Sequence, residues 1–291
     1  MVSRRDVFIG SAAAAGLAAC AAPSNASLNL NDKRALLSGF AVNTESWWTD
    51  EPFERRFVKA AEAGFTHAEF WFVGLFKRDA KALAAAIKPT AIKIAQIVAN
   101  APALGQAANR VQYLDAVKQA IDDAKILGTD IVTVTGHQNI DGVTRGDVLK
   151  AYRDNIAASA ELWEAAQIYC AIEPFNPYDH PGHFIYGYAD ALDICASIKS
   201  PFIKLNWDLF HMQRHEGNLI ANFEAGKEHV AYVQIADSPA RGQPGTGEVD
   251  YANVLRKLRE TYTGPIGLEF WAKDKDYDQA VADMVELAQR L

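Results

Sequence analysis

Apolar runs of strand length alternate with stretches of helical periodicity along almost the whole chain. Eight runs are rich in β-branched and aromatic residues and are predicted to be strands: 37–42, 66–72, 92–98, 131–135, 168–173, 202–208, 230–235 and 265–270. Amphipathic helices are predicted between them at 52–63, 109–127, 148–166, 189–198 and 251–260, with a last helix near 277–291. Regular alternation of this kind predicts parallel strands joined by helical crossovers.

The length of the alternating segment selects one architecture for that sheet. Residues 34–291 come close to the roughly 250 residues of a single (β/α)8 barrel, and no Pro-, Gly- or Ser-rich linker divides them. An open doubly wound sheet is the alternative, but no strand is followed by the Gly-rich turn of a dinucleotide site. The sequence therefore predicts an α/β protein with one domain, a single (β/α)8 TIM barrel over residues 34–291.

Residues 1–33 do not follow this pattern and are predicted to be an export signal and linker. An arginine pair at 4–5 precedes a short apolar run at 8–19 and resembles the twin-arginine signal. Leu17-Ala18-Ala19-Cys20 resembles a bacterial lipobox, which implies an exported, periplasmic protein anchored to the membrane through a lipid on the cysteine. Simple cleavage of the leader is the alternative, and would leave a soluble periplasmic protein.

Composition excludes several classes of protein. With 29 Lys and Arg against 36 Asp and Glu, the net charge of -7 offers no basic field for a nucleic acid. Three cysteines, Cys20, Cys170 and Cys195, cannot build a disulfide framework. No apolar run reaches the roughly 20 residues that span a bilayer. A small molecule is therefore the expected partner, and a homo-oligomer is compatible with these features.

Polar residues end the last four predicted strands. They are Glu173, Asp208, Gln234 and Glu269. Catalytic groups of (β/α)8 barrels lie at these carboxyl ends, and period-2 alternation turns all four side chains toward the barrel interior. The same alternation turns Cys170, Trp207 and Val233 toward the helices.

Buried carboxylates on neighbouring strands repel one another and lose hydration, which costs several kcal/mol each if uncompensated. A divalent cation removes the conflict, and three carboxylates with one amide oxygen suit Mg²⁺ or Mn²⁺ better than Zn²⁺, with Co²⁺ a further candidate. The alternative is a set of ordinary salt bridges to barrel Arg or Lys. All four residues lie at the same level of the barrel and are predicted to face its interior, which favours a metal site over separate salt bridges.

Several segments together resemble a known family. They are Phe40-Ala41-Val42-Asn43, Ala68-Glu69-Phe70-Trp71-Phe72, Trp207-Asp208-Leu209-Phe210-His211-Met212-Gln213, Val233-Gln234-Ile235-Ala236-Asp237 and Arg241-Gly242-Gln243-Pro244-Gly245-Thr246-Gly247-Glu248. The chain resembles the hydroxypyruvate isomerase family of the xylose-isomerase-like TIM barrels, most specifically over 208–248. The resemblance implies a divalent metal bound by Glu173, Asp208, Gln234 and Glu269. It also implies proton transfer by Glu173 and Glu269, and substrate binding by His211 and Arg241.

The reaction of that family has clear chemical requirements. Converting hydroxypyruvate to tartronate semialdehyde removes a proton beside a ketone and returns one to the neighbouring carbon, through an enediolate. A carboxylate over each face of that intermediate serves as base and acid, which suits Glu173 and Glu269. His211 is expected to donate to a substrate oxygen, and Arg241 to bind a carboxylate in a bidentate way.

Other functions and roles stay open at this stage. A ketose 3-epimerase of the same barrel is the nearest alternative, and a catalytically inactive sugar-binding lipoprotein is an alternative of another class. An apurinic endonuclease, with a zinc cluster and a basic face, does not fit. Glu69 is a candidate for orienting site residues and His137 for lining the pocket. Trp47 and Trp48 either wall the cavity or simply pack.

Overall fold

The computed structural model describes residues 28–291, so the predicted export signal and Cys20 lie outside the described residues. Nine parallel strands form one sheet: β1 (Phe40–Asn43), β2 (His67–Glu69), β3 (Lys93–Ile94), β4 (Ile97–Val98), β5 (Ile131–Val134), β6 (Tyr169–Ile172), β7 (Ile203–Asp208), β8 (Val230–Ile235) and β9 (Ile266–Leu268). The spatial order is β3-β2-β1-β9-β8-β7-β6-β5-β4. Only Ala95 and Gln96 separate β3 from β4, so the two ends of the sheet meet and the sheet closes into a barrel.

Helices cover the outside of the barrel. They are α1 (Leu30–Leu37), α2 (Phe53–Ala63), α3 (Ala80–Ile87), α4 (Arg110–Leu127), α5 (Arg145–Ala166), α6 (Tyr188–Ile198), α7 (Leu209–His215), α8 (Leu219–Gly226), α9 (Tyr251–Leu258) and α10 (Tyr277–Gln289). The predicted TIM barrel is therefore confirmed. Among residues 28–291, every helix is too short or too polar to cross a bilayer.

The first element differs from the prediction. The Asn29 side chain accepts from the backbone N–H groups of Asn31 and Asp32, and the Asp32 carboxylate accepts from the Asn29 N–H, which starts α1 with a capping box. Because α1 runs to Leu37, the first strand begins at Phe40 and not at Leu37 as predicted.

Two further differences concern short elements. The third predicted strand, 92–98, is divided because its first part pairs with β2 and its second part with β5. The sequence pattern did not predict α3, α7 or α8, which are only seven or eight residues long.

Two apolar layers confirm the predicted alternation of side chains. Cys170, Trp207 and Val233 belong to the large core between sheet and helices, while Ala171 and Tyr232 belong to the small cluster inside the barrel. Several inward strand positions, such as Ala171, carry small residues next to polar ones. A Cβ at Gly267, for example, would lie 2.6 Å from a Glu69 carboxylate oxygen. A small residue at this position leaves room for the Glu69 carboxylate.

Candidate active site

All four residues predicted to bind metal meet at the carboxyl ends of the strands. Glu173 follows β6, Asp208 ends β7, Gln234 lies in β8 and Glu269 follows β9. A cavity of about 250 Å³ opens above them. Its apolar wall consists of Trp71, Phe72, Val98, Phe175 and Trp271. Glu173, Gln234 and Glu269 line the polar floor, while Asp208 is fully buried beside it.

Burial raises the pKa of each carboxyl group in this cluster. The pKa of Glu173 is well above its usual range because of burial, and the nearby charges of Glu269 and Asp208 raise it further. Burial raises the pKa of Glu269 to about 8, although the Arg241 guanidinium opposes the shift. The Trp71 indole N–H donates to Glu269 Oε1 at 2.8 Å. Glu269 can therefore exchange a proton near neutral pH.

Arg241 compensates part of this negative charge. Its Nη2 lies 2.8 Å from Asp208 Oδ2 and 3.3 Å from Glu269 Oε2, and its Nε donates to the Glu269 carbonyl oxygen at 3.1 Å. Burial alone would lower the pKa of Arg241, but Glu269, Asp208 and Glu173 raise it. The predicted substrate-binding arginine thus contacts two of the predicted metal ligands directly.

The donor set fits a hard divalent cation. Asp208 and Glu269 are close enough to share one positively charged nitrogen of Arg241. One carboxylate oxygen from each of Glu173 and Asp208 lies within 4.8 Å of the other and of a His211 ring nitrogen. Oxygen atoms from carboxylates and an amide are the ligands that Mg²⁺ and Mn²⁺ prefer.

A buried network fixes the amide of Gln234. Its Nε2 donates to both oxygens of Glu69, at 3.1 and 3.2 Å, and its Oε1 accepts from Asn206 Nδ2 at 2.6 Å. Asn43 and Gln96 also donate to Glu69, at 3.0 and 3.2 Å. Because the carboxylate accepts the amide N–H groups, the Gln234 oxygen is directed away from Glu69 and keeps a lone pair for a cation. Glu69 therefore has the orienting role suggested by its position at the end of β2.

Asn176 determines which nitrogen of His211 carries the proton. The Asn176 Oδ1 accepts from the backbone N–H groups of Tyr178 and Asp179, both at 3.0 Å, so its amide nitrogen faces His211 Nδ1 at 2.8 Å. Since His211 Nδ1 accepts this hydrogen bond, its Nε2 carries the proton. Burial, reinforced by the charge of Arg241, holds the pKa of His211 well below its usual range, so the ring is neutral.

The His211 Nε2–H has no close acceptor among the described residues. Asp208 Oδ2 lies 3.4 Å away and Glu173 Oε1 3.6 Å away, both longer than an ordinary hydrogen bond. Arg241 Nη1 lies 3.3 Å from the same nitrogen, and it too is a donor. Two N–H donors therefore face one another at the cavity without an acceptor between them.

The remaining predicted residues, His137, Trp47 and Trp48, lie outside the cavity wall. His137 does not line the cavity; its ring nitrogens contact the Glu173 carbonyl oxygen at 2.9 Å and the His183 ring at 3.1 Å. Trp47 is fully buried, and its ring centroid lies 5.1 Å from that of Phe270, so it packs behind the barrel. Trp48 packs against Tyr277.

Three residues of the site were not found from the sequence. Trp71 has the same strand parity as Glu69, so the alternation rule could have placed it beside the site. Asn176 and His180 lie on the loop after β6, and only the folded loop brings them to His211. His180 lines the cavity, and no residue of the described chain is hydrogen-bonded to its ring nitrogens.

A closed barrel of parallel strands with buried carboxylates at the carboxyl ends defines a TIM-barrel enzyme. Residues 57–290 match the family model described as Xylose isomerase-like TIM barrel. The chain belongs to this family.

The names of two relatives narrow the class of enzyme to isomerases. The chain is 28% identical to the hydroxypyruvate isomerase of Escherichia coli strain K12, over 79% of this chain and 92% of the relative. It is 30% identical to the 2-oxo-tetronate isomerase of Pectobacterium atrosepticum, over 82% of this chain and 94% of that protein. The chain is therefore an isomerase of this family.

Solved structures agree on the fold. An AP endonuclease, family 2, from Brucella melitensis has 25% identity and a TM-score of 0.76, covering 81% of this chain and 94% of that chain. A D-allulose 3-epimerase from Methylomonas sp. has a TM-score of 0.75 at 19% identity, covering 87% of this chain and 97% of that chain. At that identity the likeness concerns the fold alone.

Proposed function

We propose that this protein is a divalent-metal-dependent isomerase of 2-oxo acids that carry a hydroxyl on C3, and that it converts hydroxypyruvate to tartronate semialdehyde. The gathering of Glu173, Asp208 and Glu269 beside Arg241 and His211 at one cavity is the observation that carries this proposal. The two relatives named above support it, because both names describe isomerases of 2-oxo acids.

The two glutamates that line the cavity are assigned the proton transfers. One removes the proton from C3, and the electron pair of that C–H bond forms the C2–C3 double bond of the enediolate. The C2 carbonyl electron pair moves onto its oxygen in the same step. The other glutamate then returns a proton to C2 while the C3 hydroxyl proton passes to the C2 oxygen, so that C3 becomes the aldehyde and C2 carries the hydroxyl. The raised pKa values of Glu173 and Glu269 suit this exchange, since a general acid needs a proton to give near neutral pH.

Glu173, Asp208, Gln234 and Glu269 would hold the divalent ion. When bound, the ion would act as a Lewis acid that stabilises negative charge on the substrate oxygens, a contribution of several kcal/mol. Glu69 and Asn206 hold the Gln234 amide with its oxygen available. Trp71 holds the Glu269 carboxylate by one oxygen.

The unpaired donors suit a substrate with a negative charge. A carboxylate oxygen within hydrogen-bond distance of both His211 Nε2–H and Arg241 Nη1 would accept from both, which gives each donor an acceptor. A neutral ketose offers no equivalent charge. This favours a 2-oxo acid over the free sugar of a ketose 3-epimerase.

Metal removal and a substrate panel test the proposal. Chelation should abolish isomerisation, and Mg²⁺, Mn²⁺ or Co²⁺ should restore it. Hydroxypyruvate and 2-oxo-tetronate should be turned over faster than fructose or tagatose. Mn²⁺ binding, followed by electron paramagnetic resonance, should be lost in Asp208→Asn. Full activity in verified metal-free protein would contradict the proposed metal requirement. A preference for neutral ketoses would favour the epimerase function.

We also propose that the protein is exported and lipid-anchored at Cys20. The arginine pair and the lipobox-like segment support this. Mass spectrometry of the mature N-terminus, from membranes of an expressing cell, should find a lipid-modified Cys20, and Cys20→Ala should release the protein from the membrane. An unmodified N-terminus would favour simple cleavage.

A further inference from the structure

We infer that His180 is a substrate-binding residue that donates a hydrogen bond to the carboxylate of an acidic substrate, and so helps the site to distinguish acids from neutral hydroxy-ketones. This inference rests on the proposed function and extends it to a residue outside the predicted ligand and catalytic sets. Its basis is the position of His180 in the cavity wall and the nature of its neighbours.

The loop after β6 holds His180 firmly in place. The His180 backbone N–H donates to the Asn176 carbonyl oxygen at 3.2 Å, and the Tyr186 hydroxyl donates to the His180 carbonyl oxygen at 2.9 Å. The imidazole stacks on the Phe175 ring with centroids 4.1 Å apart and planes 24° apart. The ring is therefore preorganised, which lowers the entropy cost of using it in binding.

The ring itself has no hydrogen-bonding role in the fold. Its nitrogens have no hydrogen-bond partner among residues 28–291, although the side chain is half-buried and lines the cavity. Half-buried polar groups that the protein leaves unpaired at a cavity are suited to a ligand.

Its surroundings point to an anion. The His180 ring centroid lies 5.1 Å from that of His211, whose Nε2–H faces the cavity, and His211 contacts Arg241 Nη1. Burial and then the charge of Arg241 lower the pKa of His180 to about 4, so the ring is neutral and offers one N–H donor. Donors on three residues therefore approach one part of the cavity. A carboxylate, which has about four acceptor positions, is the group that can satisfy all three.

Direct binding measurements separate this inference from the isomerase proposal. Glycerate and glycerol form a matched pair, because glycerol replaces the carboxylate with a hydroxymethyl group and neither has a ketone to isomerise. Their dissociation constants should be measured by calorimetry on the Mg²⁺-loaded full-length protein and its variants. His180→Phe keeps an aromatic ring against Phe175 but removes both nitrogens.

We expect His180→Phe to weaken glycerate binding by about 10-fold, the scale of one hydrogen bond to a charged group, and to change glycerol binding less. KM for hydroxypyruvate should rise by a similar factor with kcat nearly unchanged. His180→Gln, which keeps a donor, should recover part of the loss. His215→Phe, the same substitution at an exposed histidine of α7, should behave as wild type.

Each result has a defined meaning. Unchanged glycerate binding in His180→Phe, equal losses for glycerate and glycerol, or no glycerate binding by the wild type would overturn the inference. If His180→Phe does not fold, His180→Leu is measured with the same expectation. The wild-type protein could isomerise no 2-oxo acid while His180→Phe still weakens its glycerate binding. That result would contradict the proposed reaction and support this inference.

Discussion

Two glutamates in the barrel interior differ in what surrounds their oxygens. Glu69 accepts N–H groups from three amides, those of Asn43, Gln96 and Gln234. Glu173 has no donor within hydrogen-bond distance among the described residues, and the His211 Nε2 is 3.6 Å away. Burial raises the pKa of both groups. A buried carboxylate with satisfied oxygens organises its neighbours, whereas one with free oxygens facing a cavity can take up a proton or a cation.

The same contrast divides the rim of the barrel. On the side built from β1 to β5, the Glu69 carboxylate accepts from amides, and the Glu45 carboxylate pairs with Arg78. On the side built from β6 to β9, Glu173, Asp208 and Glu269 gather beside the Arg241 guanidinium, which contacts the last two. Neighbouring buried carboxylates that repel one another are common at sites that bind a cation or transfer protons. Four predictions test whether the division is real.

The largest expected effect is on catalysis. Glu173→Gln and Glu269→Gln keep an oxygen ligand but lose the acid or base, so each should lower kcat by about 100-fold or more. Turnover of hydroxypyruvate under metal-saturating conditions measures this. A variant that keeps its turnover would make that glutamate a ligand only.

Arg241 should have the next largest effect. A charged hydrogen bond to a substrate carboxylate contributes about 1.5 to 3 kcal/mol, so Arg241→Ala should lower kcat/KM for hydroxypyruvate by roughly 10- to 150-fold. Arg241→Lys should not restore it fully, because lysine lacks the planar fork. Activity on a neutral ketose serves as the control. Equal losses on both substrates would mean that Arg241 acts on the carboxylates of the site and not on the substrate.

Stability should respond oppositely at the two contrasted glutamates. Glu69→Gln replaces one accepting oxygen with an N–H₂ donor, which then faces the amide donors of the neighbouring residues. The free energy of unfolding should therefore fall by about 1 to 3 kcal/mol. Glu173→Gln replaces a carboxyl group whose charged form is disfavoured by burial and by its neighbours, and should leave the stability of the metal-free protein unchanged or slightly higher. Urea denaturation of the metal-free variants measures both. Equal destabilisation would show that the two carboxylates are held in the same way.

The last effect, small for each unit of pH, concerns the pH dependence of stability. Because the folded-state pKa of Glu269 is raised to about 8, the native protein binds more protons than the unfolded chain between the unfolded carboxyl pKa and that value. The stability of the metal-free protein should therefore fall as pH rises through this window, by up to about 1.4 kcal/mol per pH unit for one proton. Thermal melts from pH 5 to 8 should reveal the slope, and Glu269→Gln should flatten it. A slope that Glu269→Gln leaves unchanged would assign the proton to another carboxyl group of the cluster.

The sequence by itself determined the barrel and the identity of the cluster at its rim. Strand-length runs and helical periodicity are local patterns, so they gave the eight strand regions, and strand parity correctly turned Ala171 inward and Cys170 outward. The same parity gathered Glu173, Asp208, Gln234 and Glu269, because the carboxyl ends of parallel strands meet at one face of a barrel. Local patterns were insufficient for α1, where a capping box rather than apolar periodicity begins the helix.

Only the tertiary structure decided how the cluster is compensated and what faces the substrate. Asn176 reaches His211, Trp71 reaches Glu269, and Arg241 reaches Asp208 across loops of different strands, at distances no sequence spacing encodes. Whether a carboxylate is satisfied or free depends on atoms brought together from distant parts of the chain. Strand parity therefore names the groups that point inward, but hydrogen-bond partners and burial decide which of them can do chemistry.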